Sequence, residues 1–255
     1  MKRLAPLALV VAVLFGVGSP ADAAPITVDL ELSLVVDVSS SISNGEFDLQ
    51  QTGYANSFRN LAVQQLITDL PNGIAANLIF YASGAQVGVA STHLTDAQSI
   101  NDFADAIAAA PRPFFGGTNI SAGINLAVSE FAANDFIGGV QVIDVSGDGT
   151  SGTSSTRNAR DAALAAGVDT INGLVIGNQF LLDFYTDSVI GGDGAFALQV
   201  ATFADFEARV TEKVTLEIGD VGQGPGNVPE PATLTVLGLA AVGMAGFGVR
   251  RRRKA

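Results

Sequence analysis

Eight oxygen-bearing side chains fall in three short polar segments of the chain. The first segment, Asp37-Val38-Ser39-Ser40-Ser41, has the pattern D-x-S-x-S. The second is Gly116–Asn119 and the third is Ser146–Gly149. Hydroxyl and carboxylate oxygens are hard ligands of the kind that Mg²⁺, Mn²⁺ and Ca²⁺ prefer. We therefore predict that these three segments supply oxygen ligands to one divalent cation.

The elements around these segments place them at the same end of a sheet. Residues 26–37 alternate apolar and polar side chains and end in the apolar run Leu34-Val35-Val36, which predicts a strand entering a sheet interior. A second apolar strand begins at Val140, and a helix follows Thr118. Ligands of open α/β sheets bind beyond the carboxyl ends of the strands, so we expect the three segments to meet there.

Strands and helices alternate along the rest of the domain. A capping box at Ser43–Glu46 predicts one long helix ending near Thr68, and Ser83-Gly84 predicts a hairpin. The fold class is therefore α/β, with a doubly wound, mainly parallel sheet, helices on both faces and an antiparallel edge strand. We predict further strands over 74–82, 86–91, 140–146, 169–176 and 195–200, and further helices over 95–109, 120–131, 155–166, 180–186 and 203–214.

The three segments resemble, in order and residue type, the metal-ion-dependent adhesion site of von Willebrand factor A (VWA) domains, a Rossmann-like fold. The resemblance implies that Ser39 and Ser41 bind the ion directly. Asp37 and Asp148 would contact the ion mainly through water, and Thr118 would be a ligand in some states of the domain and not in others. An ion held by hydroxyls keeps an open position, and a carboxylate from an acidic partner is its natural last ligand.

Four further segments of the domain carry a second likeness: Val142–Gly149, Arg160–Ala163, Ile171–Leu174 and Val189–Gly192 with Phe196. They resemble an exported bacterial VWA-like family of unknown function. The likeness covers about residues 30–218 and implies the fold and the site, but no ligand or activity. Tyr81-Ala82-Ser83-Gly84 departs from the bulkier, aromatic-rich segment that the family pattern has there.

Both ends of the chain have the composition of targeting segments. Lys2 and Arg3 precede an apolar run, and Ala21-Asp22-Ala23 has the A-x-A cleavage pattern, so residues 1–23 are predicted to be a signal peptide. The folded domain would cover 24–221. A Gly- and Pro-rich linker would cover 222–228.

At the end of the chain, Pro229, Glu230 and Pro231 precede an apolar stretch over 232–249, long enough for a transmembrane helix, and a basic tail. Residues 229–255 thereby resemble the PEP-CTERM sorting signal of Gram-negative bacteria. The resemblance implies processing by an exosortase-type protease. The protein would be anchored transiently in the inner membrane and then reach the cell surface or the medium. A permanent single-span anchor is the alternative.

Charge and composition limit the classes of partner. Between residues 24 and 227, six basic and 23 acidic residues give a net charge of −17, which excludes nucleic acid as a natural ligand. The chain has no cysteine, so no disulfide stabilises it.

Three functions compete on these observations. The first is a cell-surface or matrix-associated binding protein that engages its partner through the cation. The second is a structural extracellular matrix component whose metal only stabilises the fold. The third, a hydrolase, is remote: His93 is the one histidine, there is no G-x-S-x-G motif, and Ser39 stands where an aspartyl-phosphate phosphatase needs its second aspartate. We therefore predict a protein that is not an enzyme.

Overall fold

The computed structural model describes residues 24–221. The predicted signal peptide, linker, sorting segment and membrane helix lie outside the described residues. Within 24–221, no helix is both long and apolar enough to cross a membrane.

Strands and helices alternate over the described residues. The strands are β1 (Ile26–Asp37), β2 (Ile74–Tyr81), β3 (Ala85–Leu94), β4 (Phe136–Gly147), β5 (Thr170–Ile176), β6 (Gly191–Gly192) and β7 (Ala197–Val200). The helices are α1 (Asn44–Arg59), α2 (Leu61–Asp69), α3 (Ala97–Ala109), α4 (Ile120–Ala133), α5 (Thr153–Ala165), α6 (Gln179–Ser188) and α7 (Phe206–Val221), the last preceded by a 3₁₀ turn at Phe203–Asp205.

The strands form one sheet in the order β3-β2-β1-β4-β5-β6, with β7 also pairing β5. Strand β1 is parallel to β2 and β4, and strand β5 is parallel to β4 and β7. The hairpin strand β3 and the two-residue β6 are antiparallel to their neighbours. The predicted doubly wound α/β sheet with an antiparallel edge is confirmed, and β6 is an addition.

Helices bury both faces of the sheet. Leu32 and Leu34 of β1 pack into the core under α1, α3 and α7, whereas Val35 packs into the core under α4, α5 and α6. This two-sided burial explains why β1 ends in a continuous apolar run.

The prediction of a single helix from Ser43 to Thr68 is wrong, because the helix is interrupted at Asn60. This residue is extended, with a ψ of 127°, and its side-chain oxygen accepts a hydrogen bond from the Ala62 amide at 2.9 Å. Asparagine is a favoured helix N-cap, so the same residue ends α1 and starts α2.

Strand β4 begins at Phe136, four residues before the predicted start. Gly138 pairs with Val28 of β1, and its amide donates to Oε1 of the buried Glu31 at 2.8 Å. A Cβ atom at this position would lie 2.9 Å from Glu31 Cγ. The glycine that weakens the strand pattern is therefore what allows the strand to approach this carboxylate.

Candidate metal site

Three loops meet at the carboxyl ends of β1 and β4. Asp37 is the last residue of β1, Asp148 directly follows β4, and Thr118 lies just before α4. The parallel register pairs Val36 with Ser146, so the loops after β1 and β4 leave the sheet side by side.

Hydrogen bonds join the side chains of this cluster. The Oγ atoms of Ser39 and Ser41 are 3.0 Å apart, and Ser41 Oγ donates to Asp148 Oδ1 at 2.7 Å. Thr118 Oγ1 donates to Ser39 Oγ at 3.2 Å. Asp37 Oδ1 accepts from the Ser39 amide at 2.7 Å. The structure thus brings together all five residues selected from the sequence.

Asp37 forms the buried floor of the cluster, while Ser41 is exposed and Asp148 is half-buried. Burial raises the pKa of the Asp37 carboxyl to about 6, against the opposing effect of its hydrogen bonds from Ser39. Burial also raises the pKa of Asp148, and the hydrogen bond from Ser41 opposes that shift. Oδ2 of Asp37 has no hydrogen-bond partner among the described residues. A buried, partly satisfied carboxylate favours either a proton or a cation.

The spacing of the oxygens suits a small octahedral ion. Ligands 2.0–2.1 Å from Mg²⁺ at right angles to each other stand about 2.9 Å apart. The separations of 3.0 Å between Ser39 and Ser41 and of 2.7 Å between Ser41 and Asp148 are close to that value. Over residues 24–221, no three His, Cys, Asp or Glu side chains are placed to hold a metal. A cation here would depend on hydroxyls supported by two carboxylates.

The turns around the cluster are fixed by local hydrogen bonds. The predicted capping box is present, with the Ser43 amide donating to Glu46 Oε2 at 2.8 Å. Asn119 caps α4, and the exposed Ser40 accepts from the Gly116 amide at 3.2 Å. Ser40 and Asn119 therefore shape the loops around the proposed ligands.

Arg112 links the loop before α4 to the loop after β1 by hydrogen bonds. Its Nη2 donates to the carbonyl oxygens of Val38 and Ser39, both at 2.8 Å. The guanidinium also stacks on Phe115, 3.9 Å from the ring centroid, and 61% of that phenylalanine is exposed. The sequence prediction missed Arg112, for which the only signal was a single cation in a Pro- and Gly-rich loop.

Two tyrosines beneath the cluster were also missed. Tyr81 pairs with Asp37 in the register of β1 and β2, and its hydroxyl donates to the Ser146 carbonyl at 3.2 Å. The hydroxyls of Tyr81 and Tyr185 are 3.5 Å apart. Tyr81 appeared in the sequence only as a departure from the family pattern, and nothing local distinguished Tyr185.

His93 is remote from the cluster. It lies in β3 opposite Ala75, near the start of β2, and so at the other end of the sheet from Asp37. Its Nε2 is 2.9 Å from the Asn72 carbonyl oxygen.

A family model described as "Protein of unknown function (DUF1194)" matches residues 27–222. The chain belongs to this family. A PEP-CTERM protein-sorting motif matches residues 227–253 and supports export of this DUF1194 protein through the membrane. The predicted family and sorting signal are thereby confirmed. No curated protein matches the chain in sequence.

Solved structures share the fold of the DUF1194 domain. Proximal thread matrix protein 1 from the mussel byssus is 19% identical over 77% of this chain and 48% of that one, with a TM-score of 0.57. The same protein with a zinc-occupied MIDAS motif is 20% identical over 76% of this chain and 46% of that one, with a TM-score of 0.55. The pilus adhesin SpaC from Lactobacillus rhamnosus GG is 14% identical over 79% of this chain and 31% of that one, with a TM-score of 0.57.

The chain spans less than half the length of each of these proteins. At such identities the likeness shows the fold alone, and that fold is VWA-like. A matrix protein and an adhesin are thus among the proteins that share it.

Proposed function

We propose that the domain is an exported binding module that engages an acidic protein or matrix ligand through one divalent cation. The observation that carries this proposal is the convergence of three loops on a hydroxyl cluster above the partly satisfied carboxylate of Asp37. Mg²⁺ is the first choice of ion, with Mn²⁺ or Ca²⁺ as alternatives. The ion would be held by Asp37, Ser39, Ser41, Thr118 and Asp148.

The donor set favours binding of a carboxylate. Ser39, Ser41 and Thr118 are neutral ligands, so they transfer little negative charge to the ion. The side of the cluster formed by Ser41 and Asp148 is open to solvent. A carboxylate from a partner could approach there and complete the coordination of the ion.

The C-terminal sorting motif adds an anchoring and release step to this proposal. The motif matches residues 227–253, and the apolar stretch over 232–249 would hold the protein in the inner membrane. Processing by an exosortase-type protease would then release the domain.

Hydrolysis has weaker support than binding. A hydrolytic site needs a proton acceptor within hydrogen-bond reach of a bound water. Asp37 and Asp148 are the candidates in this cluster, and both are assigned to the ion, while His93 lies at the other end of the sheet. We expect the purified protein to bind a partner and to hydrolyse nothing.

The test is capture of cell-surface material of the producing bacterium on immobilised protein in Mn²⁺, with elution by EDTA. Surface plasmon resonance with the eluted partner then compares wild type and Ser39→Ala, with Ser129→Ala as a control for an exposed serine on α4. We expect EDTA and Ser39→Ala to abolish binding and the control to retain it. Binding that survives both EDTA and Ser39→Ala would overturn the proposal in favour of the structural matrix alternative.

The charge of the domain adds a kinetic expectation. At a net charge of −17, long-range repulsion should slow the encounter with an acidic partner. Added salt screens this repulsion, so the association rate should rise with salt while dissociation stays governed by the ion.

A further inference from the structure

Three oxygen atoms converge on Gly147, the last residue of β4. A Cβ atom there would lie 2.5 Å from the Tyr81 hydroxyl, 2.8 Å from the Tyr185 hydroxyl and 2.9 Å from Asp37 Oδ2. The three oxygens therefore surround one point, which stays open only because residue 147 has no side chain. The three side chains lie on the face of the sheet that packs against α4, α5 and α6, and the two hydroxyls lie below the Asp37 carboxylate.

Close packing holds both tyrosines in this position. A Cβ atom on Gly123 of α4 would lie 3.3 Å from Tyr81 Cβ, so the helix packs directly on that side chain. A Cβ atom on Gly173 of β5 would lie 2.9 Å from the Tyr185 ring, which therefore lies over a second glycine. Both tyrosines are completely buried. A phenol in such a core needs a hydrogen-bond partner for its hydroxyl.

Among the three oxygen atoms at Gly147, one acceptor has no hydrogen-bond donor. The Tyr81 hydroxyl donates its single proton to the Ser146 carbonyl, and Asp37 Oδ2 has no partner among the described residues. Since Tyr81 can also accept from Tyr185, it can turn its own proton towards Asp37 and remain satisfied. A carboxylate oxygen is a stronger hydrogen-bond acceptor than a backbone carbonyl oxygen, so Asp37 Oδ2 competes with the Ser146 carbonyl for the Tyr81 proton.

We propose that Tyr185 and Tyr81 form a hydroxyl relay that positions the Asp37 carboxylate through its Oδ2 atom, across the gap at Gly147. The relay rests on the metal site of the proposed function and adds two positioning residues to it. Carboxylates that bind metals are usually hydrogen-bonded in turn, and removing such a partner typically weakens metal affinity by roughly 10- to 100-fold.

The test compares the affinity for Mn²⁺, by calorimetric titration, of wild type, Tyr81→Phe, Tyr185→Phe and the double variant. We expect a loss of roughly 10- to 100-fold for Tyr81→Phe and a smaller loss for Tyr185→Phe. The double variant should lose little more than Tyr81→Phe, because the two hydroxyls act in series. Tyr54→Phe is the matched control: Tyr54 is equally buried, but its hydroxyl contacts Asp144 on the other face of the sheet.

A spectroscopic measurement separates positioning from general stability. The chain has three tyrosines and no tryptophan, so its near-ultraviolet absorbance reports mainly the phenols, and Tyr81 and Tyr185 lie next to Asp37. Mn²⁺ should produce a difference spectrum in wild type and Tyr54→Phe that is reduced in Tyr185→Phe and largely lost in Tyr81→Phe. Urea unfolding in EDTA checks that the variants are folded.

The two possible failures are distinguishable. If wild type binds no divalent cation, the proposed function is wrong and the relay fails with it. If wild type binds but Tyr81→Phe binds equally well with an unchanged difference spectrum, the relay alone is wrong. Gly147→Ala adds a check that leaves both phenols in place, because its methyl group would fill the gap and should weaken Mn²⁺ binding in the folded variant.

Discussion

The hydroxyl of Ser41 donates a 2.7 Å hydrogen bond to Asp148 Oδ1, although 107 positions separate the two residues in the chain. This bond links the loops after β1 and β4 on the solvent-facing side of the cluster. An incoming cation would compete with the hydroxyl proton for the same carboxylate oxygen. Metal binding should therefore reorganise the contact between the loops after β1 and β4.

One divalent cation should bind per chain, with affinity lost in Asp37→Ala and reduced in Thr118→Ala. Asp37 supplies the buried charge of the site, whereas Thr118 supplies one neutral oxygen. Calorimetric titration with Mg²⁺ and Mn²⁺ measures both effects, and Asp69→Ala, at the end of α2, is the control. Unchanged binding by Asp37→Ala would place the site elsewhere.

In EDTA, Asp37→Asn should be more stable than wild type at pH 7.5. The pKa of Asp37 rises from 3.8 to about 6 on folding, mainly through burial, so ionisation in the folded state costs up to roughly 3 kcal/mol. Since the folded pKa is the higher one, the stability that the neutral Asp37 carboxyl contributes is fully present below about pH 4 and is lost as pH rises through 6. Asparagine does not ionise, so the advantage of the variant should shrink towards pH 4.

Urea unfolding of wild type and Asp37→Asn at pH 4, 6 and 7.5 measures this difference. Saturating Mn²⁺ is the companion condition and should reverse the order at pH 7.5, because the ion then stabilises wild type alone. A stability difference that is the same at every pH would show that the carboxyl is not the cause.

Lys213→Met should lower the free energy of unfolding by roughly 3–5 kcal/mol at pH 7.5. The ammonium of Lys213 is completely buried and bridges Asp144 and Glu217, so its loss leaves two buried carboxylates without their cation. Burial raises the pKa of Glu217 to about 7, with Lys213 opposing the shift. Protonation of Glu217 should therefore reduce the cost at pH 5.

Denaturant unfolding at both pH values tests this prediction. Arg209→Met is the matched control, because Arg209 lies on the same helix in a partly exposed ion pair with Glu212. The control should change stability by less than about 1 kcal/mol. Equal effects of the two substitutions would argue against a structural role for the buried triad.

The secreted or surface form should lack both terminal segments, with cleavage near Ala23 and again close to Pro229-Glu230-Pro231. The sorting motif at residues 227–253 motivates this expectation. Intact-mass measurement of the protein recovered from the cell surface and the medium decides it. A basic tail at 250–254 that is still attached would indicate a permanent anchor.

Much of the site could be predicted because its residues follow strands that can be recognised locally. Asp37 ends an alternating apolar segment and Asp148 follows another, and parallel strands bring their carboxyl ends to one edge of the sheet. The position of the cluster could therefore be predicted from the apolar periodicity of the strands and the order of the elements along the chain. The break at Asn60 was harder to predict, because asparagine is tolerated inside a helix as well as at its cap.

The sequence by itself determined the fold class, the convergence of the three loops and the acidic character of the domain, because each depends on local pattern or on composition. Only the tertiary structure showed that Tyr81 and Tyr185 meet beneath Asp37 and that Lys213 is buried between two carboxylates. The local sequence pattern does not distinguish a polar side chain that is buried from one that is exposed. Its environment is set by partners on other elements, up to 104 positions away for the two tyrosines, and only the folded chain brings such partners together.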